Sequence, residues 1–164
     1  MTVTSSPGRV LRDDQGMRLE FVRTFPDPIE RVWAAVTDPD ELAAWFGTWR
    51  GDPSTGTIEV CPIEGDGEFH TAELVECDAP RRVAVVLPSE DGPWPLSVEL
   101  SEADGVTTLV FVHRMAEPYD ATSIGPGWQY YLDRLEATVR GRAMPEGDDW
   151  PAYEPLGRHY PLPD

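Results

Sequence analysis

The stretch 125–142 constrains the fold most, because it is the one long amphipathic helix that the sequence predicts. Pro126 suits the first turn of a helix, and Gly141 suits the left-handed residue that often ends one. Apolar residues recur at helical spacing and form a single stripe. The stripe consists of Trp128, Tyr131, Leu132, Leu135 and Val139. Such a helix needs one apolar partner surface, which the rest of the chain must supply.

The residues before this helix are typical of strands that could form that surface. Alternating apolar and polar residues predict a strand at 17–25, and two short helices with apolar stripes follow at 29–36 and 39–46. Turns that contain glycine then separate further strand-like runs. These runs lie at 48–50, 57–63, 68–77, 82–87, 94–101 and 106–114. Short connections join antiparallel neighbours, so we predict an α+β fold in which about six to seven antiparallel strands wrap the long helix.

Charge and composition exclude several classes of protein. The 164 residues carry a net charge of −17, and all 13 basic residues are Arg. This balance argues against nucleic acids and anionic membranes as partners, because binding either requires clustered positive charge. The N-terminus lacks the apolar core of a signal peptide, and the longest apolar runs are five residues, far short of the roughly 18 that span a membrane. With Cys61 and Cys77 expected as free thiols, the sequence predicts a cytoplasmic protein.

The two ends of the chain differ from its middle. Residues 1–16 are mostly polar and predict a flexible N-terminal arm, which leaves one domain at 17–142. The tail, residues 143–164, is rich in proline but contains Trp150, Tyr153 and Tyr160. Aromatic side chains gain free energy from burial. We therefore expect the tail to pack on its own domain or on a second subunit, as in a homodimer.

Five segments, taken in order, resemble the START-like (SRPBCC) superfamily and, within it, the branch named for homologues of the activator of the heat-shock-protein ATPase. They are FPDPIERVW at 25–33, TDPDELAAWFG at 37–47, DAPRRV at 78–83, GVTTLVFVH at 105–113 and GWQYYLDRL at 127–135. The resemblance implies a helix-grip fold, in which a curved antiparallel sheet grips the C-terminal helix around a cavity. It implies no single activity, because the superfamily includes lipid and hormone carriers, polyketide cyclases and co-chaperone domains.

In such a fold, large aromatic residues are the best candidates to line the cavity. Two interpretations stay open at this point. The rings form a pocket for a flat apolar ligand, or they fill the space and leave only a small void. The aromatic candidates are Trp45, Phe46, Trp49, Trp94, Phe111, Trp128 and Tyr131.

The histidines are the main candidates for catalysis, because the sequence contains no phosphate loop, nucleophile elbow or zinc-binding helix motif. A carboxylate partner could come from the strand glutamates, but the pattern singles out none of Glu68, Glu73, Glu76 and Glu99. His113 ends the last predicted strand on the same face as Phe111. It is either a polar anchor or general base in the cavity, or a structural residue bonded to the backbone. His70 has a weaker case, and a proton-transfer or metal site would require the two rings to meet. The sequence predicts neither a metal nor a cofactor.

Three functions remain possible on these grounds. The first is a small cytosolic protein that binds a hydrophobic or aromatic molecule in the cavity. The second is an enzyme of the cyclase or hydrolase type, which requires at least two convergent titratable side chains inside the cavity. The third is a co-chaperone-like interaction module, which a tail docked on its own domain would count against. We rank them in this order.

Overall fold

A single curved, open, antiparallel sheet of eight strands dominates the part of the chain that the structure, a computed structural model, describes, residues 2–116 and 120–163. The strands are β1 (Arg9–Asp13), β2 (Gly16–Phe25), β3 (Gly47–Arg50), β4 (Thr57–Pro62), β5 (His70–Asp78), β6 (Arg82–Leu87), β7 (Trp94–Ala103) and β8 (Val106–Met115). Their order across the sheet is β1-β2-β8-β7-β6-β5-β4-β3. The predicted helix-grip fold is confirmed, with slightly more strands than the six to seven expected.

Four helices accompany the sheet in the described residues. They are α1 (Ile29–Thr37), α2 (Pro39–Leu42), α3 (Ala121–Arg140) and α4 (Trp150–Tyr153). The predicted second helix at 39–46 is shorter than expected, because its last four residues form a turn. Asp38 begins α2 by accepting hydrogen bonds from the backbone N–H groups of Asp40 and Glu41. The long helix, α3, packs against the concave face of the sheet and completes the core.

Strict alternation sets the concave face of the sheet. Along β8, Leu109, Phe111 and His113 are buried, whereas the residues between them are only partly buried. The β2 residues that face them in register, Leu19 and Phe21, are buried as well. Side chains on one face of a pleated strand recur every second residue. The two central strands therefore give the helix a continuous apolar surface.

The long helix begins four residues earlier than the sequence predicts. It starts at Ala121, where the Asp120 side chain accepts the Ser123 N–H, so Pro126 lies inside the helix rather than in its first turn. Gly125 is needed at its position because the ring of Tyr160 packs directly against it. The predicted end is confirmed by Gly141, which has φ = 66° and donates its N–H to the carbonyl of Ala137.

The N-terminal residues are more ordered than predicted. The prediction of a flexible arm over 1–16 is wrong for Arg9–Asp13, which form an edge strand paired with β2. Two ion pairs secure its end, since Asp13 contacts both Arg18 and Arg114. The alternation signal was weak because Val10 is the one buried residue of this strand. Residue 1, and residue 164 of the tail, lie outside the described residues.

The described part of the tail packs on its own domain. Tyr153 and Tyr160 are fully buried. The Tyr160 hydroxyl donates to Oε1 of Gln129 at 2.7 Å, and the N–H of Gly8 donates to the Tyr160 oxygen. Both chain ends therefore contact the same side of α3. No helix in the described ranges is long and apolar enough to cross a membrane.

Candidate functional site

A cavity of about 170 Å³ lies between the sheet and α3. The long helix contributes one wall, α1, α2 and the turn after α2 contribute a second, and β3 to β8 with the 3₁₀ turn after β3 contribute the rest. None of the described side chains that line it is charged. The lining consists of Val36, Thr37, Leu42, Trp45, Phe46, Trp49, Pro53, Ile58, Val60, Leu74, Cys77, Val83, Val85, Leu87, Leu96, Ser97, Val98, Leu109, Phe111, Trp128, Leu132 and Leu135.

The three tryptophans of this lining present ring surface rather than hydrogen-bond donors. The Nε1–H of Trp45 donates to the carbonyl of Ala35 at 2.8 Å, and that of Trp49 donates to the carbonyl of Thr37 at 2.7 Å. The Nε1–H of Trp128 donates to Nδ1 of His113 at 3.1 Å. Because each N–H already has a partner in the protein wall, the indoles offer a ligand only dispersion and π contacts.

The remaining aromatic rings of the lining hold one another in place. Phe46 stacks on Trp128 with ring centroids 5.9 Å apart and an interplanar angle of 20°. Phe111 contacts the same indole at 4.5 Å. The hydroxyl of Thr37 donates to the carbonyl of Trp33 and is therefore also engaged. Five of the nine predicted site residues, namely Trp45, Phe46, Trp49, Phe111 and Trp128, meet around the cavity.

His113 lies behind the cavity wall rather than in the lining. Its side chain is almost completely buried, its ring centroid lies 4.7 Å from that of Trp94 at a tilt of 44°, and its Nδ1 accepts the Trp128 N–H. Burial lowers the pKa of His113 to about 4, from the ordinary 6.5. A neutral ring that accepts at Nδ1 carries its proton on Nε2. His113 therefore orients the Trp128 indole and is not placed to act on a ligand in the cavity.

Three further candidates lie outside the cavity lining. Trp94 packs against both His113 and Trp128. Tyr131 lies on the flank of α3 and lines a separate pocket with Tyr130 and Trp150. His70 is exposed at one end of β5, with Nε2 3.0 Å from the carboxylate of Asp66. A proton-transfer or metal site would require the two histidine rings to meet. They do not meet, because His70 is exposed beside Asp66 whereas His113 is buried beside Trp94 and Trp128.

The aliphatic residues that line the cavity were not predicted from the sequence. On the cavity face of the sheet, Val83 and Val85 of β6 pair with Val98 and Leu96 of the adjacent strand β7. Leu87 of β6 continues the same face. Their alternation was visible in the sequence, but alternating aliphatic residues also build ordinary cores, so nothing marked them as ligand contacts. Only the curvature of the sheet leaves space above them.

Two of the described lining residues, Pro53 and Cys77, reach the surface, and we call this part of the cavity the cavity mouth. Both are exposed although they also line the cavity. Pro53 begins a short 3₁₀ turn at Pro53–Thr55, and Cys77 lies near the end of β5. Within 2–116 and 120–163, no three His, Cys, Asp or Glu side chains lie close enough to hold a metal ion. The lining is therefore suited to apolar contact rather than to coordination or proton transfer.

The sequence of this chain also matches a known protein family. The family described as Activator of Hsp90 ATPase homolog 1-like protein matches residues 27–140. The chain belongs to this family. The match spans α1, the sheet from β3 onward and α3, and it confirms the resemblance to the START-like superfamily. The chain has no match among curated protein sequences.

Solved structures of other proteins share the fold of this family member. CalU16 from Micromonospora echinospora is 20% identical over 93% of this chain and 92% of its own, with a TM-score of 0.72. EF2215 from Enterococcus faecalis, a conserved protein of unknown function, is 19% identical over 93% and 88%, with a TM-score of 0.74. The protein encoded by BPP1335 of Bordetella parapertussis is 27% identical over 99% and 97%, with a TM-score of 0.71.

The coverage extends beyond the residues that define the family. Alignment with the Bordetella protein over 99% of this chain includes both the N-terminal strand and the tail. In this member, the buried contacts of Tyr153 and Tyr160 with α3 make the tail part of the folded unit.

Proposed function

We propose that this protein binds a small, flat, apolar molecule of the aromatic class in the cavity between the sheet and α3. The observation that carries the proposal is a cavity of about 170 Å³ whose described lining has no charged side chain and whose tryptophan N–H groups are already engaged. An apolar cavity of about 150 Å³ stays dry and binds benzene. A cavity of this size therefore matches a ligand with one aromatic ring, or two if the mouth opens slightly.

Two observations weigh against the alternatives. The enzyme hypothesis requires convergent titratable groups, but His113 and His70 both lie outside the lining and Cys77 alone contributes a titratable side chain. The interaction hypothesis requires a free tail, but Tyr153 and Tyr160 are fully buried against the domain. Free thiols at Cys61 and Cys77 support a reducing, cytoplasmic location. We infer a binding protein rather than a catalyst.

Native mass spectrometry of the purified protein, with an organic extract of the same sample, is the direct test. A bound apolar molecule that appears in both would identify the ligand class. In parallel, the protein can be titrated with toluene and with naphthalene while tryptophan fluorescence is recorded. Because Trp45, Trp49 and Trp128 line the cavity, we expect saturable quenching.

A matched pair of variants separates the cavity from the surface. Val85→Phe adds a ring inside the cavity and should weaken toluene binding at least about tenfold, because the added volume occupies the ligand space. Val22→Phe adds the same ring at an exposed position on the other face of β2 and should leave binding unchanged. Equal binding by both variants, or no saturable binding by the wild type, would overturn the proposal.

A further inference from the structure

A second pocket, of about 210 Å³, lies on the flank of α3 away from the sheet. Three aromatic rings form its walls. Tyr130 is central, Tyr131 stands at 74° to it with centroids 5.5 Å apart, and Trp150 stands at 88° to it at 5.9 Å. Both outer rings are therefore nearly perpendicular to the central one, and all three line the pocket. We call this space the aromatic pocket (Tyr130, Tyr131, Trp150 and Glu64).

Glu64 supplies a negative charge at the rim of the aromatic pocket. It lies in the loop between β4 and β5, is exposed, and lines the pocket together with the three rings. Burial and the neighbouring Glu64 carboxylate raise the pKa of the Tyr131 hydroxyl. The hydroxyl therefore stays protonated at neutral pH. A carboxylate beside aromatic rings is an environment that stabilises an organic cation.

The surroundings of the pocket are acidic. The 3₁₀ turn at Gly147–Asp149 borders the pocket through Gly147 and carries Asp148 and Asp149, with Glu146 immediately before it. Arg134 is the opposing charge, with its guanidinium carbon 5.6 Å from the centre of the Tyr130 ring. That guanidinium donates to the carbonyls of Ala44, Trp45 and Pro145. The carboxylates outnumber it, and the net charge of −17 attracts cations from a distance.

We propose that the aromatic pocket binds the methylated ammonium group of a small cationic amine. Methylated ammonium groups are large and weakly hydrated, so they exchange water for aromatic faces at little cost. A primary ammonium ion is more strongly hydrated and should bind less well. This proposal does not depend on the cavity between the sheet and α3, because none of the pocket residues lines that cavity.

The test is a titration with choline at constant ionic strength, followed by NMR of the Trp150 indole N–H. A neutral isostere of choline, 3,3-dimethylbutan-1-ol, serves as the chemical control. We expect saturable binding of choline at millimolar or lower concentration, and binding of the isostere that is at least about tenfold weaker, because it lacks the charge. Equal binding of the two molecules, or no saturation by choline, would overturn the proposal.

Variants distinguish the pocket from the general acidity of the surface. Glu64→Gln should weaken choline binding about tenfold, whereas Glu68→Gln removes the same charge from the same loop, outside the pocket, and should change it less than about twofold. Trp150→Leu should abolish binding, and Trp150→Phe should retain most of it, because a ring remains. If Glu68→Gln weakens binding as much as Glu64→Gln does, choline is attracted by overall charge and the pocket is not the site. Val85→Phe should leave choline binding intact, which keeps this result separate from the cavity test.

Discussion

His113 shows how a single buried side chain can fix the shape of the cavity without touching a ligand. Its Nδ1 holds the Trp128 indole, and Trp128 in turn stacks on Phe46 and contacts Phe111. The orientation of this indole determines which surface the cavity presents. The hydrogen bond requires the neutral form of His113, because a protonated imidazole has no acceptor nitrogen.

We predict that the protein loses stability below neutral pH through His113. Its pKa is about 4 in the folded state and near the ordinary 6.5 when unfolded. Between these values the unfolded state binds the proton and the folded state does not, so acid favours unfolding. The loss should reach about 2 kcal/mol between about pH 7 and about pH 5. Urea unfolding across this range measures it.

The control for this prediction is a pair of histidine variants. In His113→Gln, the side-chain amide oxygen can still accept the Trp128 N–H but does not titrate, so most of the pH dependence should disappear. His159→Gln replaces an exposed histidine and should keep the wild-type dependence. A His113→Gln variant with the full wild-type slope would show that other groups cause the acid sensitivity.

Single residues were predicted well where size or spacing decided their place. Trp45 and Trp128 were predicted to lie at the cavity because large aromatic side chains beside an apolar stripe are expected to be buried with it. The sequence could not predict that His113 lies outside the lining. This position depends on how far the Trp128 indole separates the His113 imidazole from the cavity. His70 follows the same alternation as the buried Ala72. It is nevertheless exposed, which the alternation alone does not predict.

At the scale of elements, α3 is shaped by the tail that packs on it. Cβ atoms at Gly125 and Gly157 would clash, respectively, with the ring of Tyr160 and with the carbonyl of Thr122. Pro126 cannot donate a hydrogen bond to that carbonyl, because it has no N–H. Two glycines and a proline thus allow the tail to approach the first turns of the helix closely.

The two glycines of the helix provide a prediction with an internal control. Gly127 has open space around the position of a Cβ atom, so Gly127→Ala should stabilise the protein by up to about 1 kcal/mol through helix propensity. Gly125→Ala makes the same local change but displaces the Tyr160 ring, so it should destabilise the protein by roughly 1–3 kcal/mol. Thermal and urea unfolding measure both. Stabilisation by both variants would mean that the tail does not pack on α3 in solution.

The elements that the sequence predicted best are those with strong periodicity. The strand at 82–87 has the predicted bounds, and the end of α3 was located by Gly141. The start of α3 was misplaced because glycine and proline usually mark a boundary, whereas here they serve tertiary packing. The edge strand β1 was missed because an edge strand needs few buried residues. Predictions from local sequence patterns failed where contacts with a distant segment determine where a helix or strand begins.

At the scale of the whole molecule, a buried polar network connects both chain ends to the sheet and the long helix. Arg23 of β2 is buried and contacts Asp133 at 2.8 Å and Glu136 at 3.2 Å. The hydroxyls of Tyr153 and Ser5 both donate to Oδ2 of Asp133. The network lies on the flank of α3 away from the cavity lining. It joins the domain, the N-terminal segment and the tail through shared ion pairs and hydrogen bonds.

We predict that Arg23→Met destabilises the protein by roughly 3 kcal/mol, because removing one partner of a buried ion pair leaves the other charge uncompensated. The matched control is Arg31→Met, which breaks the half-exposed pair between Arg31 and Glu41 and should cost at most about 1 kcal/mol. Urea unfolding gives both values, and hydrogen exchange reports on the tail. In Arg23→Met, the amides near Tyr153 should exchange faster, since Asp133 loses the charge that holds it in place. Equal losses in the two variants, with unchanged exchange in the tail, would show that the tail is held by its buried rings alone.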